Sequence, residues 1–147
     1  MMKLSTKGRY GTRAMIDIAI QNSHGPALMK DIAARQNIAP KYLDHILSAL
    51  RKSGLLKNIR GKGGGYILSR PASQITLKHI IEAVEGSLAP VECVDNTSLC
   101  DRISLCPTRN VWKNLKEVIE NELDATTLES LMEAQKAKEP QATNYII

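Results

Sequence analysis

Asn37-Ile-Ala-Pro40-Lys-Tyr-Leu-Asp44-His-Ile-Leu-Ser48-Ala-Leu-Arg-Lys-Ser-Gly54 is the stretch that decides the fold of this chain. Pro40 stands where the first residue of a helix has no use for its N–H. The run to Ser53 then puts Tyr42, Leu43, Ile46, Leu47 and Leu50 on one face, and Gly54 stops it. Just upstream, residues 28–36 predict a shorter helix with Leu28, Ile32 and Ala33 turned inward. Asn37 between the two tolerates the left-handed conformation that a tight interhelical turn requires, and Ile38 can fill the angle between the helices. Short helix, tight turn and longer helix make a helix-turn-helix. By subtraction Lys41, Asp44, His45, Ser48 and Arg51 or Lys52 lie on the outward face of the longer helix, where such side chains can reach base edges or phosphates. The same face also fits an ordinary solvated surface.

The next residues favour the first of those readings. Residues 55–59 and 66–69 predict two short strands joined by Arg60-Gly-Lys-Gly-Gly-Gly65. Glycines there let the backbone approach a partner closely, and Arg60 and Lys62 carry charge to the tip, as a minor groove attracts. A phosphate-binding loop is excluded by spacing, since its Lys is followed by Ser or Thr opening a helix, whereas here glycines and a strand follow. A hairpin placed after a helix-turn-helix is a wing.

Charge divides along the chain. Residues 1–70 hold 13 Lys/Arg against 3 Asp/Glu, net +10, and residues 71–147 hold 7 against 12, net −5. The basic half predicts nucleic acid or another acidic surface as partner. Apolar residues make up 43% of 147, enough for one core with an appendage. No stretch has the length of a membrane span, the start predicts no signal peptide, and three cysteines, an odd number, predict a reducing cytoplasm. An enzyme is disfavoured, because no nucleophile and base pair up and the three histidines are far apart in sequence.

Outside the motif, Ser5 or Thr6 opens a first helix to about residue 22, carrying Tyr10, Ala14, Met15, Ile18 and Ala19 inward, its apolar run broken by Asp17. Thr76 caps a helix over 77–85 that returns Ile80, Ile81 and Val84 to the core; His79 on it reads as a structural histidine. A long helix follows from Pro107 to about Leu123, with Val111, Trp112, Leu115, Val118 and Ile119 in one stripe. A lone helix cannot bury that stripe, so a second copy of the chain is the expected cover. Thr126-Thr-Leu-Glu129 has the form of a capping box and opens a last helix to about Lys136; residues 137–147 predict a mobile tail.

Between these helices lie all three cysteines, Cys93, Cys100 and Cys106, separated by six and then five residues among Asp95, Asn96, Ser98 and Asp101. Buried structural cysteines would scatter through a core, so the grouping predicts a metal site. Thiolates suit iron-sulfur clusters or zinc, and zinc sites usually pair cysteines two to four residues apart, closer than any pair here. The spacing therefore leans toward a cluster completed by a fourth, non-cysteine ligand. A structural zinc in a winged-helix protein-interaction module is the alternative.

Met2-Lys-Leu-Ser-Thr-Lys-Gly-Arg-Tyr10, Ala39-Pro-Lys-Tyr-Leu-Asp44, Arg60-Gly-Lys-Gly-Gly-Gly-Tyr66 and Cys106-Pro-Thr followed by Trp112 together resemble the Rrf2 family of bacterial winged-helix regulators, within it the IscR-like branch of iron-sulfur cluster regulators. The resemblance runs from the N-terminus to about Leu131. It implies a mainly α fold with a small β-hairpin wing: a winged helix-turn-helix domain over 1–85, a cysteine-rich cluster-binding loop over 86–107 and dimerisation helices over 108–136. It implies a homodimer that represses or activates promoters according to a 2Fe-2S or 4Fe-4S cluster on Cys93, Cys100 and Cys106, with Lys41, Tyr42, Asp44, His45 and Arg60 meeting double-stranded operator DNA. It also implies related nitric-oxide and redox sensors as neighbours. The residues that complete the cluster in such proteins correspond to Arg109 and Arg9 here, neither a usual iron ligand. Asp95, Asp101, Glu92 or a small molecule are the remaining candidates.

Overall fold

The computed structural model describes residues 3–139, and among these it places six α-helices and one two-stranded hairpin. In chain order they are α1 (Thr6–Gln21), α2 (Met29–Gln36), α3 (Pro40–Lys52), β1 (Leu56–Ile59), β2 (Gly65–Leu68), α4 (Leu77–Glu85), α5 (Pro107–Asp124) and α6 (Leu128–Lys138). Ser5 caps α1, its hydroxyl accepting the Lys7 N–H. Ala14, Met15, Ile18 and Ala19 of α1 meet Ile32 and Ala33 of α2 and Leu43, Ile46, Leu47 and Leu50 of α3 in one core. Each large apolar side chain so buried contributes about 1.5–3 kcal/mol.

The turn that defines the motif follows the sequence reading closely. Asn37 ends α2 in the left-handed conformation at φ 53°, the one non-glycine residue with positive φ among those described. Ile38 is buried in the angle, its N–H bonded to the Ala33 carbonyl at 3.0 Å. Asp17, which interrupts the apolar face of α1, is buried for a different reason: its carboxylate accepts Arg35 Nε and Nη2 and Gln36 Nε2, tying α2 to α1.

β1 and β2 pair antiparallel, Leu56 opposite Leu68 and Ile59 opposite Gly65. A third contact holds the hairpin to the helices. Ala27 and Tyr66 exchange both main-chain hydrogen bonds, at 2.9 and 2.8 Å, and the Asn22 side chain bridges the Tyr66 carbonyl and the Leu68 N–H. The approach needs glycine at 65, where φ is +144° and a Cβ would lie 2.6 Å from the Ala27 carbonyl oxygen.

α4 opens on a capping box in which Thr76 accepts the His79 N–H while His79 Nδ1 accepts the Thr76 N–H at 3.0 Å, a structural role for this histidine. α6 departs from expectation in two ways. Its cap is Thr127, which accepts the Ser130 N–H, whereas the Thr126 carbonyl takes the Leu77 N–H. Within the chain α6 lies along α1, with Leu128 fully buried in the core. The cause is a main-chain latch: Leu128 N–H bonds to the Ile75 carbonyl at 2.8 Å and Thr127 bridges Thr76. α6 also continues through Ala137 to Lys138, where the tail was expected to have begun; the remainder of that tail, 140–147, lies outside the described residues.

Candidate nucleic-acid interface and cysteine segment

α3 is amphipathic, and its buried face fixes what its other face presents. With Leu43, Ile46, Leu47 and Leu50 inward, Lys41, Asp44, His45, Arg51 and Lys52 are exposed and Ser48 is half-buried. Tyr42 straddles the two faces: half-buried, it sets its ring edge-on to Tyr10 at 5.9 Å between centroids, and its hydroxyl lies 2.8 Å from Thr6 Oγ1. Arg60 and Lys62 are exposed at the hairpin tip, where Gly61 and Gly63 take positive φ. Tyr66 stands on β2 opposite Asn58, one pair in from the turn. Burial pushes its phenol above the ordinary range, and Asp44 adds to that while Arg51 opposes it, so this side chain stands within the field of the outward residues of α3.

The cysteines occupy the connection between α4 and α5. Cys93 is half-buried in a 3₁₀ turn over Glu92–Val94; Cys100 is exposed and follows a second turn, Thr97–Leu99, which Asn96 caps by accepting the Ser98 N–H. Cys106 is half-buried and caps α5 ahead of Pro107. Its thiol is held below the usual thiol range, chiefly by the Thr108 hydroxyl 3.1 Å away and then by the Arg109 N–H at the helix start. All three are free thiols. Among the described residues, however, no three His, Cys, Asp or Glu side chains converge closely enough to hold a metal ion. As donors the three soft thiols fit an iron-sulfur cluster, but the segment does not gather them.

The candidates for a fourth ligand are also placed. Arg109, on the first turn of α5, donates Nε to the Cys93 carbonyl at 3.2 Å, bridging the first and last cysteines of the segment. Asp95 is engaged elsewhere: Lys116 Nζ lies 2.8 Å from its carboxylate and the Ser87 hydroxyl contacts it, which holds the carboxyl below its ordinary range and raises the Lys116 ammonium above its own. From Lys116 the pairing continues to Glu120 of α5 and on to Lys78 and Glu82 of α4, at 3.6–3.9 Å. Such surface pairs contribute about 0–1 kcal/mol each, so they align the segment with α5 rather than stabilise the fold much. Glu92, Asp101 and Arg9 are exposed. Nothing in the sequence signals that Thr6 meets Tyr42 of α3 or that Asn22 holds the hairpin through Tyr66 and Leu68.

A helix-turn-helix with a hairpin wing and a basic outward face defines a winged-helix protein of the DNA-binding, transcription-regulating class. Comparison with known proteins makes this specific: the Rrf2 family, described as an iron-dependent transcriptional regulator, matches residues 4–134, and the chain belongs to it. The protein rrf2 of Nitratidesulfovibrio vulgaris is 40% identical over 131 residues, covering 89% of this chain and 87% of its own. Two solved structures are similar at 38% identity. T. potens IscR superposes with a TM-score of 0.76, over 99% of this chain and 97% of its own. CymR, the global cysteine regulator of B. subtilis, gives 0.75 over 91% and 98%. Among the described residues no helix is long and apolar enough to cross a membrane.

Proposed function

We propose that this Rrf2-family regulator acts as a cytoplasmic homodimer that binds a promoter operator and represses transcription, under control of an iron-sulfur cluster held by Cys93, Cys100 and Cys106. The observation that carries the cluster is the confinement of every cysteine in the chain to one segment between the last core helix of the winged domain and an unburied long helix. None of the residues of α5 is buried, and Val111 and Val118 are 55% and 63% exposed. A matching stripe from a second copy is the natural cover. The exposed stripe of α5 carries this reading, and we keep residues 108–136 as the dimerisation region.

In the DNA complex Lys41, Asp44, His45, Ser48 and Arg51 of α3 face the major groove, with Tyr42 at its edge, and Arg60 and Lys62 of the wing reach the minor groove. Basic residues of the first half supply salt-dependent affinity, and the α3 side chains supply sequence preference. When bound, an iron-sulfur cluster of 2Fe-2S or 4Fe-4S type supplies bonds to thiolate that tie the ends of the segment together and are broken when it is destroyed. Arg109 holds Cys93 to α5 and Asp95 holds the segment to Lys116, so its arrangement bears on how the long helix meets the winged domain. We read the protein as a non-enzyme.

Anaerobic purification followed by absorption spectroscopy and iron and sulfide analysis tests this. Broad visible bands with iron and sulfide support the cluster; colourless protein containing zinc indicates a structural metal instead. A second reading is favoured by the lowered thiol of Cys106, beside the Thr108 hydroxyl, together with the ungathered cysteines: a sensor that responds through its thiols with no cluster. Metal-free protein whose operator binding changes on thiol modification would establish it.

A further inference from the structure

Glu85 lies in the last turn of α4, immediately before the cysteine segment, and none of the roles above uses it. Its Oε1 accepts the main-chain N–H of Ser5 at 2.9 Å and of Gly8 at 3.2 Å, and the Ser5 hydroxyl contacts the same oxygen. A carboxylate at the C-terminal end of its own helix is electrostatically unfavourable, whereas at the start of another helix it is favourable. Glu85 is thus directed at the N-terminus of α1. Gly8 makes the approach feasible, since a Cβ there would sit 3.1 Å from both Glu85 Oε1 and Leu4. The next residue after Ser5 is Thr6, whose Oγ1 lies 2.8 Å from the Tyr42 hydroxyl at the start of α3.

We propose that Glu85 and Thr6 are positioning residues for DNA reading: the carboxylate docks the α1 N-terminus, and Thr6, placed by that docking, fixes the Tyr42 phenol at the edge of the recognition face. A phenol has one proton to donate and can also accept. With Thr6 donating to it, the Tyr42 hydroxyl keeps its own proton for a phosphate oxygen, a contact made only when α3 is seated in the groove. Because Ser87, two residues beyond Glu85, touches Asp95 next to the cysteines, a rearranged segment reaches Tyr42 by this route. The inference rests on the DNA-binding reading of the α3 face.

The test uses full-length protein and two probes, a duplex selected by the wild-type protein from a randomised pool and a mixed-sequence duplex. Glu85→Ala and Thr6→Val are each expected to weaken the selected duplex by about 3- to 10-fold, the worth of one hydrogen bond, and the mixed-sequence duplex, on which α3 is seated less of the time, by a smaller factor. Glu85→Gln, which keeps an acceptor, and Thr6→Ser, which keeps a hydroxyl, are expected to restore most of that affinity. Thr6→Val added to Tyr42→Phe is expected to cost nothing further. Equal weakening on both duplexes, or additive effects in the double variant, would overturn the proposal in favour of a merely structural role. Failure of the wild-type protein to select any duplex would overturn the DNA-binding reading itself, and this inference with it.

Discussion

Single positions carry two chemical commitments that can be measured apart from any function. Gly65 combines a φ of +144° with a Cβ position only 2.6 Å from the Ala27 carbonyl oxygen, so any side chain must break the Ala27–Tyr66 pairing that seats the wing. Gly65→Ala is expected to lower unfolding stability by about 1–3 kcal/mol, seen as a lower urea midpoint. Cys106 makes the other commitment. Its folded thiol is lowered from its ordinary value, chiefly by the Thr108 hydroxyl, so the thiolate persists to lower pH than in a free cysteine. In metal-free Cys93→Ser/Cys100→Ser protein the pH midpoint of iodoacetamide labelling should therefore fall below that ordinary value. Thr108→Val, which removes the hydroxyl chiefly responsible, should move the midpoint back up.

At the level of elements, the wing and the long helix make separable predictions. Arg60 and Lys62 are exposed at the hairpin tip, so Arg60→Ala/Lys62→Ala should leave the urea midpoint unchanged while flattening the log-log salt dependence of DNA binding by about 0.9 for each phosphate no longer neutralised. Val118, 63% exposed on α5, would lie in a dimer seam; Val118→Glu should weaken the dimer by more than about 2 kcal/mol, read by sedimentation at falling concentration, with the helical signal kept. What the sequence made legible follows the same division. The helix-turn-helix could be read because each step is local: Pro40 starts a helix, Asn37 permits the left-handed turn, and Leu43, Ile46, Leu47 and Leu50 recur at the helical period. Asp17 could not, because the Arg35 that explains it lies 18 residues away and meets it only once α1 and α2 cross. The partner of α6 was hidden for a similar reason, its docking resting on Leu128, on Met132 one turn on, and on main-chain bonds joining Leu128 to Ile75 and Leu77 to Thr126, whose partners lie about 50 residues away in sequence. For the cysteines, spacing revealed the donor chemistry, but gathering them is a property of loop conformation, which spacing does not encode.

For the whole molecule, the proposed control requires a path from the cysteine segment to the recognition face, and both meet the C-terminal end of α4 at Glu85. Two routes leave the segment: to α5, through Arg109 on the Cys93 carbonyl and Asp95 on Lys116 and Glu120, and to the start of α1, through Ser87 beside Glu85. Neither passes through the core, which is completed by α1, α2, α3, α4, the hairpin and Leu128 without any cysteine. Removal of a thiol should consequently change coupling and spare the fold. Cys100 is the cleanest position, being exposed and bonded only through its sulfur to the Arg102 N–H at 3.4 Å. Cys100→Ala is expected to keep the dimer and the unfolding midpoint within about 0.5 kcal/mol of wild type, as for a surface substitution. Operator affinity or choice of promoter, measured anaerobically, should nevertheless shift, because a ligand can bias two arrangements only by the difference in its binding to them, and this variant removes that difference. Identical anaerobic DNA binding by Cys100→Ala and wild type would mean that the segment does not control DNA reading through this thiol, leaving the Glu85–Thr6–Tyr42 contacts a static support of the recognition helix.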